Sequence, residues 1–80
     1  MSEHYITIDC PPGHTRPDDV LKLICNNFSI DYNIFEIKSK VFGEWTWQVN
    51  DNEKFKNKKQ EVSNFLKQCY NEGVIRYAEL

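Results

Sequence analysis

The stretch Phe35–Val49, FEIKSKVFGEWTWQV, constrains the chain most. It reads as two strands meeting at Gly43. Apolar residues fall at Phe35, Ile37 and Val41 before the turn, and at Trp45, Trp47 and Val49 after it. Successive side chains of a strand point to opposite faces, so the length of the turn decides which of these residues share a face. A two-residue turn, Phe42-Gly43, sets Val41 opposite Glu44 and Lys40 opposite Trp45. Phe35, Ile37 and Val41 then share one face, and both tryptophans lie on the other, interleaved with Lys38 and Lys40. A three-residue turn, Phe42-Gly43-Glu44, pairs Val41 with Trp45 and Ser39 with Trp47. All six apolar residues then share one face, and Lys38, Lys40, Thr46 and Gln48 meet water. Burying two tryptophans removes a large apolar area from water, which favours the second register.

The flanking segments read as two strands and two helices. His4–Cys10 alternates, with Ile6, Ile8 and Cys10 on one side and Tyr5, Thr7 and Asp9 on the other, the mark of a half-buried strand. Pro11-Pro12-Gly13 ends it, because proline donates no ladder hydrogen bond. Thr15-x-x-Asp18 resembles a capping box, and Pro17 is tolerated in a first helical turn. Val20, Leu21, Ile24, Cys25 and Phe28 then gather on one helical face, with Leu23 off it. Asp31-Tyr32-Asn33 suggests a turn. Asn50 or Asp51 is placed to cap a second helix, in which Phe55, Val62, Phe65, Leu66, Cys69 and Tyr70 cover one arc. Gly73 suits a left-handed stop. Val74–Leu80 reads as a last strand. The order strand, helix, strand, strand, helix, strand is that of the split βαβ, or ferredoxin-like, arrangement. The expectation is one α+β domain over residues 1–80, an antiparallel sheet carrying two helices on one face.

Eighty residues with a net charge of −2 and a pI of about 5.6 do not suit a protein dominated by phosphate contacts. The three cysteines, Cys10, Cys25 and Cys69, are odd in number and unpaired in spacing, unlike a secreted disulfide framework. MSEHYITIDC lacks the basic and apolar regions of a secretory signal, and no apolar run nears the roughly 20 residues of a membrane span. A cytoplasmic protein without membrane contact is expected. Lysine outnumbers arginine eight to two and asparagine recurs eight times. This bias resembles coding from an AT-rich genome, and a chain of this size is often a phage or accessory product.

Three stretches bear on chemistry. Cys10-Pro-Pro-Gly-His-Thr-Arg16, between a strand and a helix, resembles the phosphate loop of the protein tyrosine phosphatases, the low-molecular-weight ones above all. The resemblance implies Cys10 as nucleophile and Arg16 as phosphate clamp. It covers only this loop, and Pro11 and Pro12 supply no N–H to the cradle. Cys10 and His14, with Asp9 or His4, are a possible ligand group, but structural zinc needs four ligands, usually with paired Cys-x-x-Cys spacing. Neither metal nor cofactor is expected. Lys54–Lys59 is a basic run that Glu53 and Glu61 dilute, and it reads as a solvated helix face. RNA-recognition modules share this element order and stack bases on aromatics of the first and third strands. Here those strands offer Tyr5, Trp45 and Trp47. The third strand, GEWTWQV, departs from that family's signature, with Glu44 where a basic residue would help.

No Ser-His-Asp set, glycine-rich nucleotide loop or His-Glu-x-x-His motif is present in the sequence. The expectation is therefore a small non-enzymatic regulator or inhibitor, without catalytic residues, that works by binding a protein partner or by homodimerising. Its binding candidates are Trp45, Trp47, Lys38, Lys40 and Tyr5. The first alternative is a single-stranded nucleic-acid binder using the same aromatic and basic set. The second is a Cys10/Arg16 phosphatase.

Overall fold

The computed structural model describes residues 4–13, 15–41, 43–50 and 53–80. The candidate ligand His14, the turn residue Phe42 and the candidate cap Asp51 lie outside the described residues. The architecture is α+β, a four-stranded antiparallel sheet with two helices. Strand β1 is His4–Asp9, helix α1 Pro17–Phe28, strand β2 Phe35–Val41, strand β3 Glu44–Val49, helix α2 Glu53–Asn71 and strand β4 Tyr77–Glu79. The sheet order is β2-β3-β1-β4, and every neighbouring pair is antiparallel.

One apolar cluster joins the helices to the sheet. Ile6 and Ile8 of β1, Trp47 and Val49 of β3 and Phe35 of β2 belong to it, together with Val20, Leu21 and Ile24 of α1 and Phe55, Val62 and Leu66 of α2. Phe55 is almost completely buried. Its ring meets Phe35 edge to face, 5.7 Å between centroids, a favoured aromatic geometry. Leu23, off the α1 stripe, is exposed. Tyr5, Thr7 and Asp9 point to the opposite face of the sheet, where the Thr7 and Thr46 hydroxyls meet at 2.9 Å.

The hairpin follows neither simple register. Val41 pairs with Glu44 and Lys40 with Trp45, as a two-residue turn requires, yet Ile37 pairs with Trp47 and Phe35 with Val49. The register shifts between Ile37 and Ser39, leaving Lys38 as the extra residue of a bulge. One inserted residue returns the strand to the opposite phase. The shared-face reading is thus corrected: neither Val41–Trp45 nor Ser39–Trp47 pairs, Lys40 takes the place opposite Trp45, and Val41 leaves the apolar face and is 60% exposed, while Trp47 is 2% exposed. Gly43 takes φ +85°, a conformation that side chains disfavour.

Two other boundaries and one side-chain placement differ from the sequence reading. The α1 N-cap is Arg16, with no side-chain cap bond, and Pro17 is the first helical residue. Thr15 is therefore not the cap, because proline's fixed φ sets the helix start one residue later. The last strand is shorter than Val74–Leu80. Val74 N–H donates to Cys69 O at 2.9 Å and closes the end of α2, and Ile75 turns into the core. Tyr70 leaves the core arc and is 59% exposed. Between α1 and β2 a 3-10 turn, Tyr32–Ile34, is capped by the Asp31 side chain, which accepts from Asn33 N–H at 2.9 Å.

Candidate functional site

The sequence candidates do not converge. Trp47 is buried against the helices, whereas Tyr5 pairs with Gln48 and lies on the open sheet face. Trp45 is half-buried on the helix side, 5.9 Å from the Trp47 ring, and Lys40 Nζ sits 4.6 Å from the centre of the Trp45 ring. Lys38 Nζ bonds Glu36 at 2.8 Å. The structure brings Trp45, Trp47 and Lys40 together, and places Tyr5 across the sheet from them. The open face around Tyr5 carries Asp9, Glu36, Glu44 and Glu79, in register with Glu44, Gln48, Asp9 and Thr7 respectively. Of these, Asp9 pairs with Arg76 and Glu36 with Lys38, each at 2.8 Å.

The loop after β1 closes on itself. Cys10 N–H donates to Gly43 O at 3.0 Å, and Arg76 Nη2 holds Asp9 Oδ1 at 2.8 Å. Burial, reinforced by Asp9 and Asp19, pushes the Cys10 thiol up to about 11. It is thus a protonated thiol at neutral pH, whereas a phosphatase nucleophile must be a thiolate. Arg16 is exposed. Cys10, Arg16, Gly43, Trp45 and Arg76 border a shallow groove of about 260 Å³. Among the described residues no three His, Cys, Asp or Glu side chains cluster as metal ligands, and no helix is long and apolar enough to cross a membrane.

A larger concavity lies elsewhere, between α2 and β4, with a volume of about 920 Å³. Lys56, Lys59, Ser63, Lys67 and Tyr70 line it from the helix. Their spacing of three or four residues places them on one stripe of α2, beside the buried arc. Ile75, Tyr77, Ala78 and Leu80 line the strand side. One acidic side chain, Glu79, is among the lining residues, and it accepts from Tyr77 Oη at 3.0 Å. The groove therefore combines an apolar wall, two tyrosines and three lysines.

Sequence reasoning passed over this site. The lysines looked like ordinary solvated charge, and Tyr70 fitted the core arc. The 56-59-63-67-70 spacing is visible in the sequence, but what the stripe overlooks is set by the sheet order. Comparison with known proteins found no matching family model, no matching curated protein and no matching solved structure.

Proposed function

We propose that this chain is a small non-enzymatic regulator that acts by binding a protein partner in the α2/β4 groove. The groove itself carries the proposal: about 920 Å³ of concave surface beside an edge strand, with exposed Tyr70 and Tyr77 at its rim. Exposed tyrosines beside an apolar wall are common chemistry of a protein contact, and the lysines supply a polar rim. The protonated, buried Cys10 supports binding over thiol catalysis. That Cys10, Cys25 and Cys69 are all free and buried supports a reducing, cytoplasmic setting.

The finer fold proposal is the ferredoxin-like split βαβ. Its support is that the sheet, named from the other edge, runs β4-β1-β3-β2. In that order β1–α1–β2 and β3–α2–β4 each join strands with one antiparallel neighbour between them. The nucleic-acid alternative requires both tryptophans on an accessible face. Burial of Trp47 speaks against it.

The test is site-specific photo-crosslinking in a lysate of the source cells. A benzophenone side chain at Tyr70 should capture one discrete protein, and the same group at Leu23, also exposed but on α1, should not. Equal capture from both positions, or none from Tyr70, refutes the assignment. Capture of a second copy identifies a homodimer as the partner.

A further inference from the structure

We infer that the α2/β4 groove takes an extended acidic segment of another protein, which adds to β4 as a fifth strand. This rests on the reading of the groove as a protein contact and goes on to name the chemistry of the occupant.

The backbone supplies the first argument. β4 is the end strand of the sheet, so among the described residues one of its edges has no neighbour. Which groups face that edge follows from alternation. Cys10 N–H donates to Gly43 of the hairpin, so Ile8 and Ile6 also direct their N–H and C=O toward β3. Thr7 and Asp9 direct theirs toward β4. Their partners are Glu79 and Tyr77, and Arg76 N–H also donates to Asp9 O, at 2.7 Å. Ala78, between the two, therefore turns its N–H and C=O outward to the free edge. Such an edge is a template for one more strand.

The side chains supply the second. A strand at the usual spacing of about 4.8 Å from β4 lies beneath the lysine stripe of α2 and directs every other side chain at it. Lys59 and Lys67 are eight residues apart, about 12 Å along a helix. Four residues of strand span about 13 Å. Carboxylates at positions i and i+4 of the incoming segment thus match the two ammonium groups, and the flexible lysine stems absorb the crossing angle. The residue midway between them, i+2, points the same way and meets the apolar wall formed by Ile75 and Ala78.

Charge also selects against a second copy. Two chains pairing β4 to β4 would bring two lysine stripes together, each containing Lys56, Lys59 and Lys67, and like charges across an interface oppose association. The same lysines that accept an acidic strand reject self-pairing.

The probe is a capped peptide of about eight residues, the length of a strand, with Glu at its second and sixth positions, Val at the fourth and Ser elsewhere; the same peptide with Lys for Glu is the control. Each is titrated into isotope-labelled protein and followed by NMR. The Glu peptide should shift resonances of Tyr77–Leu80 and of Lys59–Tyr70, and slow Ala78 N–H exchange at least about tenfold. The double variant Lys59→Glu/Lys67→Glu should weaken the Glu peptide by about tenfold or more and make the Lys peptide the better ligand. Ala78→Pro removes the outward donor at an edge position where proline is tolerated. It should keep the fold and lose the Glu peptide. Absence of Glu-peptide binding, equal binding of both peptides, unaltered Ala78 exchange, or slow Ala78 exchange without peptide through self-association overturns the inference. A partner crosslinked at Tyr70 while Ala78 still exchanges freely leaves the groove as a contact site and removes only the added strand.

Discussion

Gly43 is the position where a single methyl group tests the hairpin most directly. Its φ of +85° lies where an L side chain is disfavoured, and a Cβ there would stand 3.1 Å from the Cys10 carbonyl oxygen, 3.4 Å from Asp9 Oδ1 and 3.5 Å from Arg76 Nη2. Gly43→Ala therefore meets two costs. The left-handed backbone costs about 1–2 kcal/mol. Crowding against Cys10 adds about 1 kcal/mol or more, since that oxygen is backbone and cannot rotate away. The neighbouring Cys10 N–H to Gly43 O bond, 3.0 Å long, ties the two segments together, so relief of one contact strains the other. The sum is about 2–4 kcal/mol, a large share of the roughly 5–15 kcal/mol that holds a domain folded. For a chain of this length it lowers Tm by about 10–25 °C. Thermal unfolding followed by circular dichroism, with urea unfolding at one temperature, reads it. Gly43→Asn separates the two costs. Asparagine tolerates positive φ better than alanine but brings the same Cβ, so its loss should be the smaller. A fall in Tm under about 4 °C for Gly43→Ala would refute the argument, and equal losses for Ala and Asn would refute the backbone part of it.

The bulge at Lys38 predicts unequal valines: Val41→Thr should change stability by at most about 0.5 kcal/mol, whereas Val49→Thr, buried between Phe35 and His4 in register, should lose about 1–3 kcal/mol by burying a hydroxyl. Urea unfolding compares the two, and equal losses would restore the shared-face hairpin. Ser29 holds φ +55° at the end of α1, so Ser29→Gly should gain up to about 1 kcal/mol, seen as a higher urea midpoint. The Tyr32 hydroxyl donates to Asp18 Oδ1. That bond, then burial, pushes the Tyr32 hydroxyl up to about 12 from its ordinary 10.0. A raised value means that the folded state favours the protonated phenol. The stability it contributes is complete below pH 10 and is lost as pH rises toward 12. Burial alone would raise the Asp18 carboxyl, but the Tyr32 and Lys22 hydrogen bonds outweigh it and hold the group below its ordinary value. Its contribution is therefore present above pH 3.8 and lost as pH falls through the lowered value. The stability gap between wild type and Tyr32→Phe should be constant from pH 7 to 9 and narrow between pH 10 and 12; a gap unchanged to pH 12 would refute the bond.

Much of the fold was legible because its elements rest on local periodicity. The 2-residue alternation of Ile6 and Ile8 and the stripe of Val20, Leu21 and Ile24 each name a buried face without reference to any other segment. The errors fall near element ends, where a neighbouring residue or a second segment intervenes. Thr15 carries a good cap signature, but Pro17 imposes the start of the helix. Val74 and Ile75 have strand-forming side chains, but one closes α2 and the other fills the core. Tyr70 fits the apolar arc, yet it lies on the stripe that lines the groove beside β4 and stays exposed. The candidate site was less legible. Its lysines differ in nothing local from solvated lysines, and its other wall is the edge of a three-residue strand.

By itself the sequence determined the kinds of element, their order and which residues must leave water, because hydrophobic burial acts on each amphipathic segment through its own period. Only the tertiary structure decided the phase of the hairpin. The turn and the far ends of β2 and β3 prefer opposite registers, and a bulge at Lys38 satisfies both: the turn keeps its glycine while Phe35, Ile37 and both tryptophans stay on the helix side. It likewise decided that the lysine stripe of α2 overlooks the free edge of β4. That juxtaposition is a consequence of the strand order, in which contacts distant along the chain place β4 at the rim of the sheet.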